Sequence, residues 1–460
     1  MEENKIGHYR WVICGLLFFG TTINYLDRQV LSLLHPILEE KFQWSNTDYG
    51  TITSIFQLSY AFFMVLAGRF VDRLGTKKGY TIALIVWSLG AILHAYAIPM
   101  GEKSVQLLGF FGIGGLSVSV TGFVIARIVL GMGESANFPA AIKATAEYFP
   151  KRERALATGI FNSGSNVGAI LAPLTVPWLA YYYGWQSTFV IIGLLGFVFL
   201  ILWLIYFDKP KQQKRLSKEE FDYIRSDTVF DTKEFDEKKQ KISWLKLLQF
   251  KPTWSYTLAK FLTDGVWWFF LFWLPSYLKN QFHLSGSEIT LPLTILYSMT
   301  MVGSIGGGWL PMYFMKGNRT PYDGRMRAML LIAFIPLAVL LVQPLSHISY
   351  WIPVILIGLA ASAHQAWSAN VYSTVSDMFP KAATASVTGI GGMAGGIGGA
   401  LFSLIVGKTL DYFIKNDNLN IGYTIIFSVC AVAYLIAWCL MKLLVPKIKI
   451  IKSEEILHSK

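Results

Sequence analysis

Long apolar segments separated by short polar loops run along almost the whole chain. Twelve of these segments approach or exceed the roughly 20 residues that an α-helix needs to cross the hydrocarbon layer of a bilayer. The pattern predicts transmembrane helices at about residues 11–35, 49–70, 80–99, 118–145, 155–179, 186–207, 254–278, 290–314, 327–344, 350–376, 385–410 and 421–445. The apolar stretch 107–119 fits less well, and it could lengthen the fourth helix or form an external or re-entrant piece.

The basic residues accumulate in alternate loops, and this predicts an orientation. The opposite loops hold only Lys41, Lys103, Lys279 and Lys415. Because Lys and Arg favour the cytoplasmic side, both termini are predicted to be cytoplasmic, as in a protein of the inner (cytoplasmic) membrane. The loops on that side hold Lys5, Arg10, Arg69, Arg73, Lys77, Lys78, Lys151, Arg152, Arg154, Lys316, Arg319, Arg325, Arg327, Lys381 and the Lys-rich tail. The first apolar run is too long for a signal-peptide core, so it is predicted to be the first span.

One long polar insertion, residues 208–252, divides the chain. It carries charges of both signs, and Ser217 with Glu220 has the spacing of a capping box, which predicts a short surface helix. The predicted organisation is a six-helix half at 1–207, a cytoplasmic linker at 208–252 and a second six-helix half at 253–460.

The two halves resemble each other in sequence. Phe149-Pro150-Lys151 recurs as Phe379-Pro380-Lys381, and Thr158-Gly159-Ile160 recurs as Thr388-Gly389-Ile390, both at the same offset. The glycine-rich stretch 389–399 follows no predicted strand, so close packing of helices explains it better than a phosphate-binding loop does.

Composition supports a membrane protein and excludes several classes. The chain is 53% hydrophobic and only 15% charged, whereas a soluble domain carries about 25% charged residues. The net charge of +12 is spread over the loops instead of forming one basic face, so nucleic acid is not an expected partner. All three cysteines lie in apolar segments, and no HExxH, GxSxG or Walker pattern occurs. We therefore expect no metal site, no cofactor and no enzymatic activity.

After the second predicted helix comes GRFVDRLGTKK, Gly68 to Lys78, which resembles the signature loop of the major facilitator superfamily. In this loop Gly68 would permit close helix contact, Asp72 would face a helix N-terminus, and the basic residues would anchor the inner face. The resemblance implies an all-α, twelve-helix integral membrane fold of two pseudo-symmetric halves that binds substrate between them by alternating access. It also implies a gating role for Asp72 and Arg73.

Further motifs resemble the anion:cation symporter family, which includes bacterial hexuronate, galactonate and glucarate transporters. They are Ile23 to Arg28, Arg127, Glu134, Phe138-Pro139, Glu147 to Pro150, Glu153 to Ala155 and Gly159 to Ser165. Lys260 to Asp264 with Trp267 to Phe269 is most similar to the hexuronate branch. The resemblance implies that Arg28 and Arg127 hold an anion and that Asp27 and Glu134 carry protons.

Those four charges lie in predicted membrane helices, where each costs at least about 2.5–3.5 kcal/mol on insertion scales. One interpretation is a pair of permanent ion pairs, Asp27 with Arg28 and Arg127 with Glu134. A functional interpretation is stronger, because buried pairs stabilise poorly, arginine binds carboxylates bidentately and a carboxylate in a dry cavity readily takes up a proton. Tyr25 lies on the face of Arg28 at spacing i, i+3, so it is a further candidate for substrate binding.

Polar residues elsewhere could complete a sugar site or could form interhelical hydrogen bonds. They are Asn162, Ser165 and Asn166 on helix five, His364 and Trp367 on helix ten and, by its alignment with the galactonate branch, Tyr60 on helix two. A tryptophan face would pack on the apolar side of a pyranose. Gly391 and Gly392 stand where the galactonate branch uses a side-chain amide, which leaves the hydroxyl contacts open. Lys260 and Asp264, at i, i+4, could simply pair with each other or could serve the cavity.

The predicted function is proton-coupled import of a sugar acid, a hexuronate such as glucuronate or galacturonate, by a monomer in the lipid bilayer. The alternatives are a transporter of another organic anion (an aldonate, an aldarate or a small carboxylate) and a non-transporting receptor for the same ligand.

Overall fold

The computed structural model describes residues 7–110, 115–225, 244–284, 286–314, 321–379, 381–448, 450–451 and 455–456. Within these ranges the chain folds into helices and short loops, without a β-strand. The spanning helices are α1 Tyr9–Phe42, α2 Asn46–Leu74, α3 Thr76–Leu93, α4 Val118–Glu134, α5 and α6 within Lys151–Tyr206 on either side of a kink at Gly184, α7 Lys251–Phe272, α8 Thr290–Phe314, α9 Pro321–Phe334, α10 Trp351–Met378, α11 Lys381–Lys415 and α12 Leu419–Leu444.

Several spanning helices continue through a bend into a second helical piece. These pieces are His94–Tyr96 and Ala97–Phe110 after α3, Asn137–Tyr148 after α4, Leu274–Phe282 after α7, and Ile335–Leu341 and Val342–Leu345 after α9. The ambiguous stretch 107–119 is thereby partly assigned, because its first residues end the extension of α3. Residues 111–114 lie outside the described residues, and Ser117 then caps α4 by accepting a hydrogen bond from the Val120 N–H at 3.3 Å.

The twelve predicted spans all find a helix in the described chain. The α5–α6 boundary is set by Gly184, whose φ of 78° lies in the left-handed region that favours glycine. By length and apolar composition alone, eight described stretches qualify as membrane spans, and Ala157–Tyr206 among them is long enough to hold α5 and α6 together. The helices α1, α2 and α7 are not among the eight.

The described chain divides into two compact units. The first unit comprises Met1–Leu31 and Phe62–Lys239, and the second comprises Ser32–Ala61 and Gln240–Lys460. Residues 32–61, the joined ends of α1 and α2, therefore group with the later part of the chain. The domain boundaries at 207 and 252 remain a prediction. The two units are defined by which residues pack together, not by counting six helices in each half.

In the first unit, the linker forms the predicted short helix, Lys218–Arg225. The Glu220 N–H donates to Ser217 Oγ at 3.1 Å, which is half of the expected capping box. The Glu220 carboxylate does not return to Ser217; it accepts from the N–H groups of Tyr9 and Arg10, each at 3.0 Å. Because Glu220 thereby caps the first turn of α1, this helix is docked on the bundle and is not a free surface helix. Linker residues 226–243 lie outside the described residues.

The internal repeat is visible in how α4 and α10 end. The piece that follows α4 ends at Phe149, and α10 ends at Phe379. Both residues have an extended backbone (φ −124° and −117°), and their N–H groups donate to the carbonyl oxygens of Thr145 and Val375, respectively. The glycine-rich stretch 389–399 lies inside α11 and packs closely, as expected. A Cβ on Gly398 would lie 2.0 Å from the Phe261 carbonyl oxygen of α7.

Candidate functional site

The central feature of the first unit is an ion pair between α1 and α4. Arg28 donates from Nε to Glu134 Oε2 at 2.6 Å, and the two side chains are 2% and 0% exposed. Glu134 thus pairs with an arginine of another helix, which neither pairing considered from the sequence, Asp27 with Arg28 or Arg127 with Glu134, anticipated. Neighbouring residues on a helix do not face each other, and residues seven apart are separated by about 10 Å along the axis, so a partner on another helix is closer.

Asp27 has a partner that the sequence analysis did not identify. The Trp87 indole N–H of α3 donates a short hydrogen bond to Asp27 Oδ2, and both side chains are buried. The other carboxylate oxygen, Asp27 Oδ1, has no hydrogen-bond partner among the described residues. The available signal was a tryptophan in the middle of an apolar helix, because a buried indole N–H requires an acceptor.

Tyr25 shares a face of α1 with Arg28, as predicted, and its role in substrate binding stays a prediction. The Arg28 guanidinium carbon lies 4.8 Å from the centroid of the Tyr25 ring, which is cation–π geometry. Arg127, the second predicted anion ligand, lies on α4 and is 1% exposed. The first unit thus gathers two arginines and two carboxylates in its buried interior, and their formal charges sum to zero.

Glycines fix the spacing of the helices that carry these groups. A Cβ on Gly133 would lie 2.3 Å from the Trp87 backbone nitrogen, and one on Gly90 would lie 2.5 Å from that of Leu130, so α3 and α4 touch along their backbones. On the other side, a Cβ on Gly168 of α5 would lie 2.4 Å from the Thr22 carbonyl oxygen of α1. These contacts leave no room for larger residues, and they hold Trp87 where it meets Asp27.

The predicted polar stripe on α5 consists of Asn162, Ser165 and Asn166. Asn162 is exposed, its carbonyl oxygen accepts from Ser165 Oγ at 2.7 Å, and Asn166 is half-buried. The hydrogen bond between Ser165 and Asn162 lies within α5, so it does not test a role in substrate binding. Their assignment to substrate therefore stays a prediction.

The predicted sugar contacts in the second unit are largely buried. The His364 ring stacks on Trp267 with centroids 5.0 Å apart, and its Nδ1 lies 2.8 Å from the Tyr434 hydroxyl. Trp367 is completely buried with its ring edge-on to Tyr434, so in this conformation it offers no face to a pyranose. Tyr60 is buried next to Phe56.

The second unit also holds the Lys260–Asp264 pair that the sequence left open between two roles. Lys260 Nζ lies 2.7 Å from Asp264 Oδ2, so the pair forms. Gly391 lies directly against the ring of Tyr256, and a Cβ there would lie 2.1 Å from Tyr256 Cε1. The space beside Gly391 is thus filled by a tyrosine from α7.

The signature loop has the predicted position between α2 and α3. Gly75 takes a φ of 82° at the start of α3, a conformation that favours glycine. Gly68 has no described atom within 4 Å of its would-be Cβ, so the predicted close helix contact is not made there. Arg73 is exposed, and the side chain of Asp72 lies outside the described residues, as do Lys316 and Arg319.

Comparison with known proteins places this chain in one family. Residues 17–403 match the model of the Major Facilitator Superfamily. The chain is 29% identical over 431 residues to the hexuronate transporter of Escherichia coli K12, covering 93% of this chain and 92% of that protein. It is 33% identical over 312 residues to the galacturonate transporter of Dickeya chrysanthemi, covering 68% and 84%. A third relative, 26% identical over 420 residues (88% and 90%), is described as the probable galactarate/D-glucarate transporter of E. coli K12.

Solved structures give the same fold at low sequence identity. A D-xylose–proton symporter aligns with a TM-score of 0.69 at 14% identity, covering 96% of this chain and all of that one. A bacterial homologue of the human lysosomal transporter Spinster, in an inward-facing and occupied conformation, aligns with a TM-score of 0.68 at 18% identity, covering 95% and 97%. The chain is a twelve-helix membrane transporter, not an enzyme, and it belongs to the major facilitator superfamily.

Proposed function

We propose that this protein is a proton-coupled symporter that imports a sugar acid, a hexuronate such as glucuronate or galacturonate. The observation that carries the proposal is the buried Arg28–Glu134 ion pair, 2.6 Å long and closed to solvent. A permanent pair of this kind stabilises a fold less than apolar packing of the same volume. A functional role explains why two charged side chains are kept at membrane depth: the pair opens when an anion binds to the arginine.

The charge balance of the first unit provides the coupling. Arg28 and Arg127 offset Asp27 and Glu134 when no anion is bound. When a substrate carboxylate binds the Arg28 guanidinium, Glu134 loses its counter-charge. The buried cluster then carries one additional negative charge. Uptake of one proton by Glu134 or Asp27 restores neutrality, so anion and proton bind together and each raises the affinity for the other.

The substrate class follows from the guanidinium chemistry and from the relatives. Arginine presents a planar pair of donors that matches a carboxylate, which favours organic acids over neutral sugars. The relatives described as hexuronate and galacturonate transporters favour a sugar with one carboxylate. The relative described as a probable galactarate/D-glucarate transporter supports the second candidate, an aldarate with two carboxylates.

The remaining predicted residues keep supporting roles in this proposal. Asp72 and Arg73 gate the cycle at the cytoplasmic signature loop, and the sugar contacts come from Tyr60, Asn162, Ser165, Asn166, His364 and Trp367. Both termini lie in the cytoplasm, and a monomer in the cell inner membrane suffices. Small movements of α10 against α7 would be needed to uncover Trp367, because its ring is buried.

Counterflow tests the proposed substrate without any driving gradient. Proteoliposomes loaded with unlabelled glucuronate should take up external labelled glucuronate, and external galacturonate should compete while glucose and xylose should not. Competition by neutral sugars as strong as by uronates would remove the carboxylate from recognition. Specific binding of glucuronate by the purified protein without any counterflow would favour the receptor alternative.

A further inference from the structure

The second unit contains a buried charged cluster outside the anion and proton groups assigned above. On α7, Lys260 Nζ lies 2.7 Å from Asp264 Oδ2 and donates to the Tyr372 hydroxyl of α10 at 3.1 Å. The same ammonium group lies 4.4 Å from the centroid of the Tyr372 ring. The Lys260 and Asp264 side chains are 4% and 15% exposed.

The Lys260–Asp264 pair lies deep in the membrane, where two charges kept only for stability would cost free energy. Lys260 and Asp264 stand near the middle of a spanning helix that runs from Lys251 to Phe272. An ion pair at such depth is a weak stabiliser, and in a membrane helix it marks a functional position by default. Asp264 is partly exposed and Tyr372 is 42% exposed, so the cluster opens to the surface of the unit.

A buried hydroxyl completes the cluster one turn earlier on the same helix. Tyr256 is fully buried, and its hydroxyl has no hydrogen-bond partner among the described residues. Its ring lies 6.1 Å from that of Tyr372. A buried hydroxyl without a partner is costly, and a ligand hydroxyl within reach would remove that cost.

Two glycines of α11 create the room for these side chains. A Cβ on Gly391 would lie 2.1 Å from Tyr256 Cε1, and one on Gly395 would lie 2.1 Å from Asp264 Oδ2. The absence of side chains on this face of α11 therefore lets the tyrosine and the carboxylate occupy it. The polar groups of the cluster come from α7 and α10, and α11 supplies only space.

The chemistry of the cluster suits hydroxyl groups. Lys260 offers donors only, the Asp264 carboxylate offers acceptors only, and the two tyrosine hydroxyls offer both. A sugar hydroxyl also donates and accepts, so it can bond to either member of the pair without changing the net charge. A carboxylate can only accept, and it would meet the negative charge of Asp264.

We propose that Tyr256, Lys260, Asp264 and Tyr372 form a subsite for the hydroxyl-bearing part of a sugar acid, and that Asp264 excludes a second carboxylate. The inference rests on the proposed function and narrows it. A uronate, with one carboxylate, is accepted, whereas an aldarate, with a carboxylate at each end, is discriminated against.

Direct binding to the purified full-length protein tests the proposal independently of transport. Labelled glucuronate is displaced by unlabelled glucuronate or galactarate, and the ratio of the two affinities is measured. Wild type should favour glucuronate at least tenfold. Asp264→Asn removes the repelling charge and leaves Lys260 to attract a carboxylate, so the ratio should fall to near one or invert.

Three further variants make the result specific. Asp377→Asn changes charge by the same amount at another ion pair of the second unit, whose Asp377 Oδ2 lies 2.9 Å from Arg325 Nε, and it should keep the wild-type ratio. The double variant Lys260→Gln/Asp264→Asn buries no charge at these positions, so it can be used if Asp264→Asn does not fold. It should also lose the preference for glucuronate over galactarate. Tyr256→Phe should weaken glucuronate binding a few-fold.

The outcomes separate this inference from the function on which it rests. A wild-type ratio in both folded Asp264 variants, or a wild type that prefers galactarate, overturns the subsite while sugar-acid binding itself stands. Wild-type protein that binds neither acid contradicts the proposed function and the subsite together.

Discussion

Arg28 and Glu134 form a 2.6 Å ion pair that joins α1 to α4 in the buried interior of the first unit. In the proposed mechanism this contact couples anion binding to proton uptake, because a substrate carboxylate that binds Arg28 would displace Glu134 from it. Asp27, next to Arg28 in sequence, is held separately by Trp87 on α3. The two carboxylates therefore have different partners and different expected responses to mutation.

The arginine geometry gives the first prediction. Arg28→Lys and Arg127→Lys should each reduce glucuronate uptake at least about tenfold, because a point ammonium cannot reproduce the two-donor fork and a lost charged hydrogen bond costs about 1.5–3 kcal/mol. Uptake into proteoliposomes measures the effect. Arg69→Lys, an exposed arginine of the first unit, is the matched control and should transport normally. Near-normal uptake by either buried variant would remove that arginine from the anion site.

Trp87 gives a prediction about pH. Its indole N–H stabilises the ionised form of Asp27, beside Arg28, Arg127 and Glu134 of the same unit, so Trp87→Phe should let Asp27 take up a proton at higher pH. The pH of half-maximal uptake should therefore rise in Trp87→Phe, and uptake by proteoliposomes measured across a pH series checks it.

Two comparisons show whether Trp87 acts through Asp27. Trp203→Phe removes another fully buried indole of the first unit, bonded weakly at 3.4 Å to the Lys77 carbonyl, and it should leave the pH profile unchanged. In an Asp27→Asn background, Trp87→Phe should cause no further shift. An equal shift in that background would mean that the tryptophan acts on something other than Asp27.

Asp411 gives a prediction about local stability in the second unit. Its carboxylate accepts from the N–H groups of Asn46 and Thr47, at 2.8 and 2.7 Å, and so caps the start of α2. Asp411→Ala should cost about 1–2 kcal/mol and speed hydrogen exchange of the first α2 amides roughly 5- to 30-fold. Unchanged exchange in Asp411→Ala would show that α2 starts stably without this cap.

Much of this architecture could be predicted from the sequence, because long apolar segments and basic loops reflect the bilayer directly. All twelve spans were placed, and Tyr25 was correctly predicted to share a face with Arg28. The partners of the buried charges could not be predicted in the same way. Sequence spacing describes neighbours along one helix, whereas Glu134 and Trp87 reach α1 from other helices.

The same limit explains the other differences. Gly68 was predicted to touch a neighbouring helix, but spacing does not indicate which glycines lie at a contact and which face open space. Spacing along α10 likewise could not indicate that Tyr434, more than sixty residues later, packs against the ring of Trp367. Tyr256 was not identified as a candidate site residue, because its position beside Lys260 and Asp264 depends on the space left by Gly391 of α11.

Proton coupling through Glu134 is the central claim, and one experiment tests it most directly. Labelled glucuronate uptake is followed in proteoliposomes with an imposed pH gradient, acid outside, for wild type and Glu134→Gln, beside counterflow without a gradient. Wild type should accumulate glucuronate above the external concentration and lose it when the gradient is collapsed. Glu134→Gln mimics the protonated state, so it should retain counterflow but fail to accumulate. Accumulation by Glu134→Gln equal to that of wild type would contradict the role of Glu134, and wild-type uptake indifferent to the gradient would contradict proton coupling itself.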